Sequence, residues 1–254
     1  MRWPALGPQW FLWSPPWERV LGEVPAQRAV SEGLTWVYGR GEPTSAPPSV
    51  VPPGCSALWL RTALDGDLFD ALENFLDPMH TPFIHAGLVR SEGVRTPVVV
   101  RLHSDGLCAS ALYRGARRSG LIRRVFGFGI DETEGRFRPP GTVELDYRAA
   151  GVLRLRIHLA FTPTTPGRLG LTVGLFSPLP QGVAVLAGVP LGPLLGVALR
   201  QDLAILARKS AHEDRWFPER RYTHTDNDLL GPLILQWLRT GTLAPRERDV
   251  TVLL

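Results

Sequence analysis

The sequence has only two cysteines and a single lysine, and both scarcities exclude classes of protein. Cys55 and Cys108 can supply neither a disulfide scaffold nor a metal or cluster site held by four cysteines. The other 27 of the 28 basic residues are arginines spread along the chain, so the net charge of +4 does not predict nucleic-acid binding. The first residues lack the charged start, apolar core and small-residue cleavage site of a secretory signal, which predicts a cytoplasmic protein.

One dense group of arginines has two interpretations that the sequence leaves open. A solvated basic loop is the simpler one, and binding of an anionic partner or a membrane surface is the other. The group consists of Arg114, Arg117, Arg118, Arg123 and Arg124.

Residues 182–199 carry no charge and therefore need a check for a membrane span. The stretch barely reaches the length that a bilayer requires, and Pro190, Pro193 and several glycines interrupt it. We therefore predict a buried loop that leads into a core helix beginning near Pro193, a residue type suited to a first helical position.

The length of 254 residues predicts one large domain with a small appendage. Residues 41–53 are rich in glycine, proline and serine, as is typical of a linker. We place a domain boundary near residue 50, between an N-terminal segment (1–50) and the main domain (51–254). One short strand is predicted before it, at Leu34–Tyr38.

The main domain has helical periodicity at both ends and strand periodicity between them. Residues 65–77 repeat apolar side chains every three or four positions, with Asp65 or Asp67 as a possible N-cap. Residues 96–177 alternate between apolar and polar side chains, which predicts strands of a sheet with one buried face. The apolar face has Val143, Leu145, Tyr147, Leu153, Leu155 and Ile157. The polar face has Glu144, Asp146, Arg148, Arg154, Arg156 and His158. A final helix is predicted over residues 227–239, and this order of elements indicates an α+β domain.

The segment after the first helix carries the chemistry. Asn74 and Asp77 are three residues apart and share a helix face, and His80 follows after another three. On a regular helix, His80 and His85 would diverge by about 140°. Pro82 disfavours a regular helix there, so the chain can fold the two imidazoles together. Two neutral imidazoles with nearby carboxylates suit a divalent first-row metal.

A third ligand is needed, and Asp202 is the candidate carboxylate. It lies between Leu199 and Leu206 on the predicted long helix, where a buried carboxylate must be paired or bound to a cation. Alternatively, it is a surface residue with Arg208 as a helical neighbour. Two histidines and one carboxylate form the facial triad of non-haem Fe(II) oxygenases.

The run Asn74-x-x-Asp77-x-x-His80-x-x-x-x-His85 closely resembles the iron-binding motif of the Rieske non-haem iron oxygenases. It looks most like the branch that contains pheophorbide a oxygenase, chlorophyllide a oxygenase and vanillate demethylase. Gln201-Asp202 resembles the acidic helix motif further along that family. The resemblance covers about residues 20–240 and is specific only at 73–85. It implies a helix-grip fold, in which a curved antiparallel sheet surrounds a long C-terminal helix.

The resemblance also implies roles for individual residues. His80, His85 and Asp202 would hold a mononuclear Fe(II), Asp77 would be the bridging acid that accepts electrons beside a ligand histidine, and Asn74 would lie next to the iron. The reaction would use O2 to hydroxylate, oxidatively demethylate or ring-oxidise an apolar or aromatic small molecule.

One part of the family pattern is missing. The family holds a [2Fe–2S] cluster through a Cys-x-His and a Cys-x-x-His pair, whereas neither Cys55 nor Cys108 is followed by histidine at that spacing. We therefore expect no [2Fe–2S] cluster in this chain, and electrons from an external ferredoxin, reductase or Rieske protein. Residues 18–50 resemble the segment leading out of a Rieske domain.

Two further expectations follow from this missing cluster. The family forms trimers that place one subunit's cluster beside the next subunit's iron, so a homotrimer is the implied assembly, although it loses its reason without the cluster. The alternative function is a helix-grip module that binds an apolar ligand without turnover.

Overall fold

The structure, a computed structural model, describes residues 10–13, 27–32, 34–38, 42–43, 45–88, 97–115, 129–216 and 222–254, without the side chains of 11–13 and 185–191. Two antiparallel sheets organise them. The smaller sheet has the order β1-β3-β2 and consists of β1 (Trp10–Trp13), β2 (Gln27–Ser31) and β3 (Leu34–Tyr38). The strand predicted at Leu34–Tyr38 is confirmed.

The larger sheet has eight strands, and every neighbouring pair is antiparallel. Its strands are β4 (Ser56–Asp65), β5 (Pro97–Ser104), β6 (Ala109–Arg114), β7 (Glu132–Arg138), β8 (Thr142–Ala149), β9 (Val152–Thr165), β10 (Arg168–Ser177) and β11 (Arg246–Leu253), in the order β11-β5-β6-β7-β8-β9-β10-β4. In the segment predicted as strands, the described residues 97–115 and 129–177 form strands β5 to β10. The α+β class, with a curved antiparallel sheet and a long C-terminal helix, is confirmed.

The helices pack on one face of this sheet. They are α1 (Leu68–Leu76), a 3-10 turn (Pro78–His80), α2 (Thr81–Ile84), α3 (Gln181–Trp216) and α4 (Gly231–Thr240). Asp67 rather than Asp65 caps α1, because its Oδ1 accepts a hydrogen bond of 2.9 Å from the Phe69 amide. Between helices and sheet lies the main core, whose fully buried members include Phe69, Leu72, Val100, Phe137, Val143 and Ile234.

Two helix boundaries differ from the prediction. Helix α4 begins at Gly231 rather than 227, because a turn precedes it in which the Thr225 hydroxyl donates to Asp228 at 3.0 Å. Helix α3 begins at Gln181, so Pro190 and Pro193 lie inside it and the predicted buried loop is wrong.

Helix α3 contains prolines and glycines in its first half, and the residues that follow Pro193 form part of a cavity wall. Leu195 and Leu199 line a large cavity below the helix, while Val183 and Val197 are 48% and 37% exposed. Burial of one face against tertiary structure outweighs weak local propensity. Among the described residues, no helix is long and apolar enough to cross a membrane.

The sheet is buried on both faces in its centre, so the prediction of a single buried face is wrong. Glu144, Asp146 and His158 are 4%, 0% and 2% exposed, although they lie on the face predicted to be polar. Charge pairing makes this burial tolerable: Asp146 accepts a hydrogen bond of 2.6 Å from Arg156, and Glu144 accepts one of 3.0 Å from Arg136.

The smaller sheet meets the outer face of the larger one through a second apolar cluster. Leu34 and Trp36 of β3 pack there with Val50 and with Phe176 of β10, which is fully buried. The domain boundary near residue 50 stays a prediction. In the arginine group, Arg114 pairs with Glu132 at 3.1 Å, and the members at 117, 118, 123 and 124 lie outside the described residues.

Candidate metal centre

The chain leaves helix α1 through a short series of caps that positions two histidines. The Asp77 amide donates to the Glu73 carbonyl at 2.8 Å and ends α1, while Asp77 Oδ1 accepts from the Met79 amide at 2.8 Å and begins the 3-10 turn. His80 closes this turn, and His85 ends α2 with its amide bonded to the Thr81 carbonyl at 3.1 Å. Because the chain passes through separate helical elements rather than one regular helix, His80 and His85 are not held about 140° apart.

The two imidazoles accordingly lie side by side. Their ring centroids are 5.2 Å apart, and the rings are inclined by 78°. The predicted folding back of His85 toward His80 is therefore present, with Pro78 and Pro82 at the starts of the two short helical turns.

Asp202 completes a cluster with the two histidines. Its Oδ1 lies 3.1 Å from His85 Nε2 and 3.5 Å from His80 Nε2, and the three candidate ligand atoms all lie within 4.8 Å of one another. Asp202 and His85 are both 4% exposed, so the prediction that Asp202 is buried is correct. The structure thus brings Asp202 to the two histidines, which precede it by more than a hundred residues.

Two amide side chains orient the cluster. Asn74 Nδ2 donates to Asp202 Oδ1 at 3.1 Å, which places the predicted neighbour of the metal in contact with the carboxylate. Gln201 Oε1 lies 2.9 Å from His85 Nδ1. Because an amide oxygen only accepts, Nδ1 donates to Gln201, and Nε2 is the ring nitrogen that faces Asp202. The sequence predicted no role for Gln201. Gln201 and Asp202 are adjacent on a helix, where neighbouring side chains point about 100° apart.

Electrostatics in the cluster follow from burial and the shared carboxylate. Burial lowers the pKa of His80, and the charges of Asp202 and Asp77 oppose it only in part. For His85, burial also lowers the pKa, but the hydrogen bond and charge of Asp202 outweigh it and the net pKa is raised. A neutral His80 imidazole and an ionised carboxylate are the forms that bind a divalent metal.

The three side chains also offer the donor set of a metal site. Three nitrogen atoms, from Asn74, His80 and His85, converge on the single oxygen Oδ1 of Asp202 within 3.5 Å. Two imidazole nitrogens and one carboxylate oxygen, gathered on one side of a space, match the donor set of a facial triad with open positions.

The open side of the triad faces an apolar cavity of about 470 Å³. Its walls come from α1, the long helix α3 and the inner face of strands β4 and β7 to β10. Apolar side chains dominate the lining, among them Leu58, Phe75, Leu145, Ile157, Leu175 and Leu199. An apolar pocket with a few polar groups at one end is the usual form of a small-molecule site.

Asp77 occupies a different position from the three ligands. It lines both the apolar cavity and a second cavity of about 390 Å³, on the other side of α1, which Glu73, Lys209 and Asp228 also line. Burial raises the pKa of the Asp77 carboxyl. Its carboxylate caps the turn that carries His80, and within the described residues the ring Nδ1 of His80 has no hydrogen-bond partner.

The two cysteines lie apart from this chemistry. Neither forms a disulfide, and both are partly buried. Burial raises the pKa of the Cys108 thiol to about 11 and also raises that of Cys55. A high thiol pKa disfavours the reactive thiolate.

Comparison with known families gives one match to the sequence. A family model described as the vanillate O-demethylase oxygenase C-terminal domain matches residues 70–240, which include the histidine pair, Asp202 and helix α4. A search among curated proteins found no match.

Solved structures give a matching fold. Dicamba monooxygenase bound to 3,6-dichlorosalicylic acid superposes with a TM-score of 0.65 and 13% identity, covering 84% of this chain and 68% of that chain. NdmA from Pseudomonas putida CBB5 with caffeine superposes with a TM-score of 0.60 and 13% identity, covering 88% of this chain and 65% of that chain. The chain thus spans about two thirds of the length of these proteins.

Proposed function

We propose that this chain, which belongs to the vanillate O-demethylase oxygenase C-terminal domain family, is the catalytic unit of a mononuclear non-haem iron oxygenase. The observation that carries the proposal is the convergence of His80, His85 and Asp202 on one point at the wall of an apolar cavity. Membership of the family supports oxygenase chemistry in general. The particular branch and the cytoplasmic location stay predictions.

The proposed metal is Fe(II), held by His80 Nε2, His85 Nε2 and a carboxylate oxygen of Asp202. Bound there, the iron would supply the activation of dioxygen. Gln201 accepts a hydrogen bond from His85 Nδ1, so Nε2 is the nitrogen that would bind iron, and Asn74 holds the carboxylate in place. The chain thereby preorganises three ligands and leaves the cavity side open.

The proposed substrate is an apolar or aromatic small molecule, and the proposed outcome is hydroxylation, oxidative demethylation or ring oxidation. The apolar walls would bind such a molecule by removing its surface from water, and they would keep bulk water from the reacting atoms. The cavity volume of about 470 Å³ is within the range of small-molecule sites.

Electrons would come from an external donor, which is a ferredoxin, a reductase or a Rieske protein. Asp77 is the proposed point of entry, because it lines both cavities and lies three residues before the ligand His80. We propose no [2Fe–2S] cluster within these 254 residues, on the cysteine and histidine spacing. A homotrimer is the assembly that the family suggests.

Iron content tests the proposal most simply. Loaded anaerobically with Fe(II) and then desalted, the chain should retain about one iron per subunit, by the count of one three-ligand site. His80→Ala and His85→Ala should abolish retention, whereas His212→Ala, an exposed histidine of α3, should retain iron fully. Full iron in both cluster variants would refute the site.

Oxygen consumption tests the reaction itself. With a reductase and a Rieske-type ferredoxin, methoxylated and alkylated aromatic compounds should be screened for consumption of O2 coupled to hydroxylated or demethylated product. Coupled turnover that requires His85 supports an oxygenase.

A second candidate function is favoured by the size and apolarity of the cavity alone. A module that only binds an apolar ligand would retain that ligand in His85→Ala and would show neither stoichiometric iron nor O2 consumption. Iron content together with ligand affinity therefore separates the two functions.

A further inference from the structure

The imidazole of His85 is held at both ring nitrogens by neighbouring residues of one helix. Gln201 Oε1 lies 2.9 Å from Nδ1, and Asp202 Oδ1 lies 3.1 Å from Nε2. The two residues are adjacent on α3 and point about 100° apart, so the imidazole lies between their side chains. His85 is only 4% exposed, and these two contacts together with burial fix the orientation of its ring.

The other histidine of the candidate metal centre is supported differently. Within the described residues, Nδ1 of His80 is buried and has no hydrogen-bond partner. The carboxylate of Asp77 accepts from the Met79 amide at 2.8 Å. Among the residues that the structure describes, Gln201 is therefore the side chain that accepts a hydrogen bond from the far nitrogen of a candidate ligand histidine.

The partner of His85 is uncharged. Histidines that bind metals commonly donate their other N–H to a carboxylate, a backbone carbonyl or water, and a carboxylate raises the basicity of the ligand. An amide oxygen accepts the same hydrogen bond without bringing a negative charge. The amide of Asn74, which donates to Asp202 at 3.1 Å, is neutral as well. The three ligands and their two amide partners would thus present one negative charge to a bound ion, that of Asp202.

The charge around a metal ion influences which oxidation state is favoured. A negative group beside the ligands attracts Fe(III) more strongly than Fe(II), because the attraction grows with the charge of the ion and is little screened in a buried site. A neutral partner at Nδ1 therefore holds the reduction potential above the value that a carboxylate partner would give. A high potential favours Fe(II), the form used by facial-triad oxygenases.

We propose that Gln201 is a positioning residue that keeps His85 a neutral imidazole ligand and thereby favours the ferrous state of bound iron. The inference rests on the proposed function for the identity of the metal as iron. It assigns two properties to one side chain. The hydrogen bond strengthens the binding of a divalent metal, and the absence of charge keeps the reduction potential high.

Two substitutions separate these properties. Gln201→Leu keeps a side chain of similar bulk and removes the acceptor, so Co(II) affinity should fall about 10–100-fold, the usual loss for a group that supports a ligand. Gln201→Glu keeps the acceptor and adds a charge, so Co(II) should bind at least as tightly as in the wild type. Anaerobic titration of the metal-free chain, followed by the visible absorption of bound Co(II), measures both affinities.

The reduction potential is a property that a purely structural role would not lower. In Gln201→Glu the preference for Fe(III) over Fe(II) should grow at least about tenfold, which lowers the one-electron potential by at least about 59 mV. A redox titration followed by the electron paramagnetic resonance of Fe(III) measures this shift.

The matched control is Gln181→Glu, which makes the same change at the exposed first residue of α3. That position is about 30 Å from Gln201 along the helix. The control should leave both the potential and the Co(II) affinity unchanged, and circular dichroism should confirm that all variants fold. Full Co(II) affinity in Gln201→Leu, an equal loss in both Gln201 variants, or a potential in Gln201→Glu equal to that of the control would overturn the proposal.

Oxygen consumption separates this inference from the proposed function. If the chain consumes O2 with iron, but both Gln201 variants match the wild type in Co(II) affinity and potential, the role of Gln201 is refuted and the oxygenase stands. If Co(II) affinity falls in Gln201→Leu and not in Gln201→Glu, but no donor and substrate give O2 consumption, the role of Gln201 is supported and the oxygenase is refuted. A wild-type chain that binds neither Co(II) nor Fe(II) overturns both.

Discussion

The two cavities on either side of the C-terminal end of α1 differ sharply in chemistry. Leu76, Asp77 and Pro78 line both. The larger cavity is walled by aliphatic and aromatic side chains and receives the open side of the triad. The smaller one gathers charged groups, with Glu73 and Lys209 among them.

The difference separates two requirements of the proposed chemistry. A cavity that binds an apolar molecule needs walls without polar groups that would have to be removed from water. A buried site that receives charge needs ionisable groups of opposite sign close to one another. Lys209 bonds to Asp70 at 2.7 Å and lies 3.7 Å from Glu213. Its ammonium group therefore places a positive charge beside the acidic groups of the smaller cavity. Asp77 is where the two environments meet.

The largest effect is expected from Asp202, which belongs to the apolar side. Asp202→Asn removes the anionic ligand, and Fe(II) affinity should fall by at least about 100-fold, more than typical losses from a group that only supports a ligand. Anaerobic titration with Fe(II) measures this. Asp226→Asn, on a side chain that is 96% exposed, is the control and should retain wild-type affinity. Unchanged affinity in Asp202→Asn would remove this residue from the ligand set.

Asp77 should separate iron binding from turnover. Asparagine is as good a helix cap as aspartate, so Asp77→Asn keeps the turn that carries His80 and removes only the charge. We expect most of the iron to remain and turnover with an external donor to fall about 10–100-fold. Iron content measured beside product formation checks this. Iron loss equal to that of Asp202→Asn would make Asp77 a ligand or a residue of the fold.

A wall residue of the apolar cavity should affect ligand binding more than stability. Ile157→Ala enlarges the cavity, and because that side chain already borders empty space we expect a loss of only about 1–2 kcal/mol in unfolding free energy. Affinity for an apolar probe should change severalfold. Urea unfolding and probe titration measure both, with Val99→Ala, which is 57% exposed on β5, as the control.

The smallest effect is expected from Glu73 in the polar cavity, and it depends on pH. Burial, reinforced by Asp228, Asp70 and Asp77 against the opposing charge of Lys209, raises the pKa of Glu73 from an ordinary value near 4.5 to about 7. The folded state therefore favours the protonated form. Its contribution to stability is present below about pH 4.5, declines as the pH rises, and is lost above pH 7.

Glu73→Gln should remove this decline in stability with rising pH. The variant has no charge to bury, so its unfolding free energy at pH 8 should exceed that of the wild type by about 1 kcal/mol, after allowing for the part of the side chain that faces solvent. At pH 4 the two proteins should be equally stable. Urea unfolding at both pH values measures the difference, and a constant difference at both would contradict the raised pKa.

Local signals in the sequence were sufficient for much of the site. Apolar spacing gave helix α1, alternation gave the strands from β5 to β10, and Pro82 indicated that His85 folds back toward His80. Asp202 was identified because a carboxylate between Leu199 and Leu206 on an apolar helix needs a partner. Each of these inferences depends on residues within a few positions of one another.

The remaining features depend on contacts between distant segments. Strand β9 has a β-bulge at Arg154, because Tyr147 pairs with Leu155 while Arg148 pairs with Leu153. Alternation within one strand cannot reveal this shift in register. The outer face around Asp146 is buried because arginines from three strands pair with it and the smaller sheet covers Phe176 nearby. Helix α3 continues through Pro190 and Pro193 against their low helix propensity, and its Leu195 and Leu199 line the cavity.

The ligand set itself is the central claim, and a crystal structure of the anaerobically loaded protein tests it directly. Anomalous diffraction at the iron edge should show one strong peak per chain, in bonding contact with His80 Nε2, His85 Nε2 and an oxygen of Asp202, and absent from His85→Ala crystals. A peak elsewhere on the chain, or no peak at the triad after stoichiometric loading, would contradict the account.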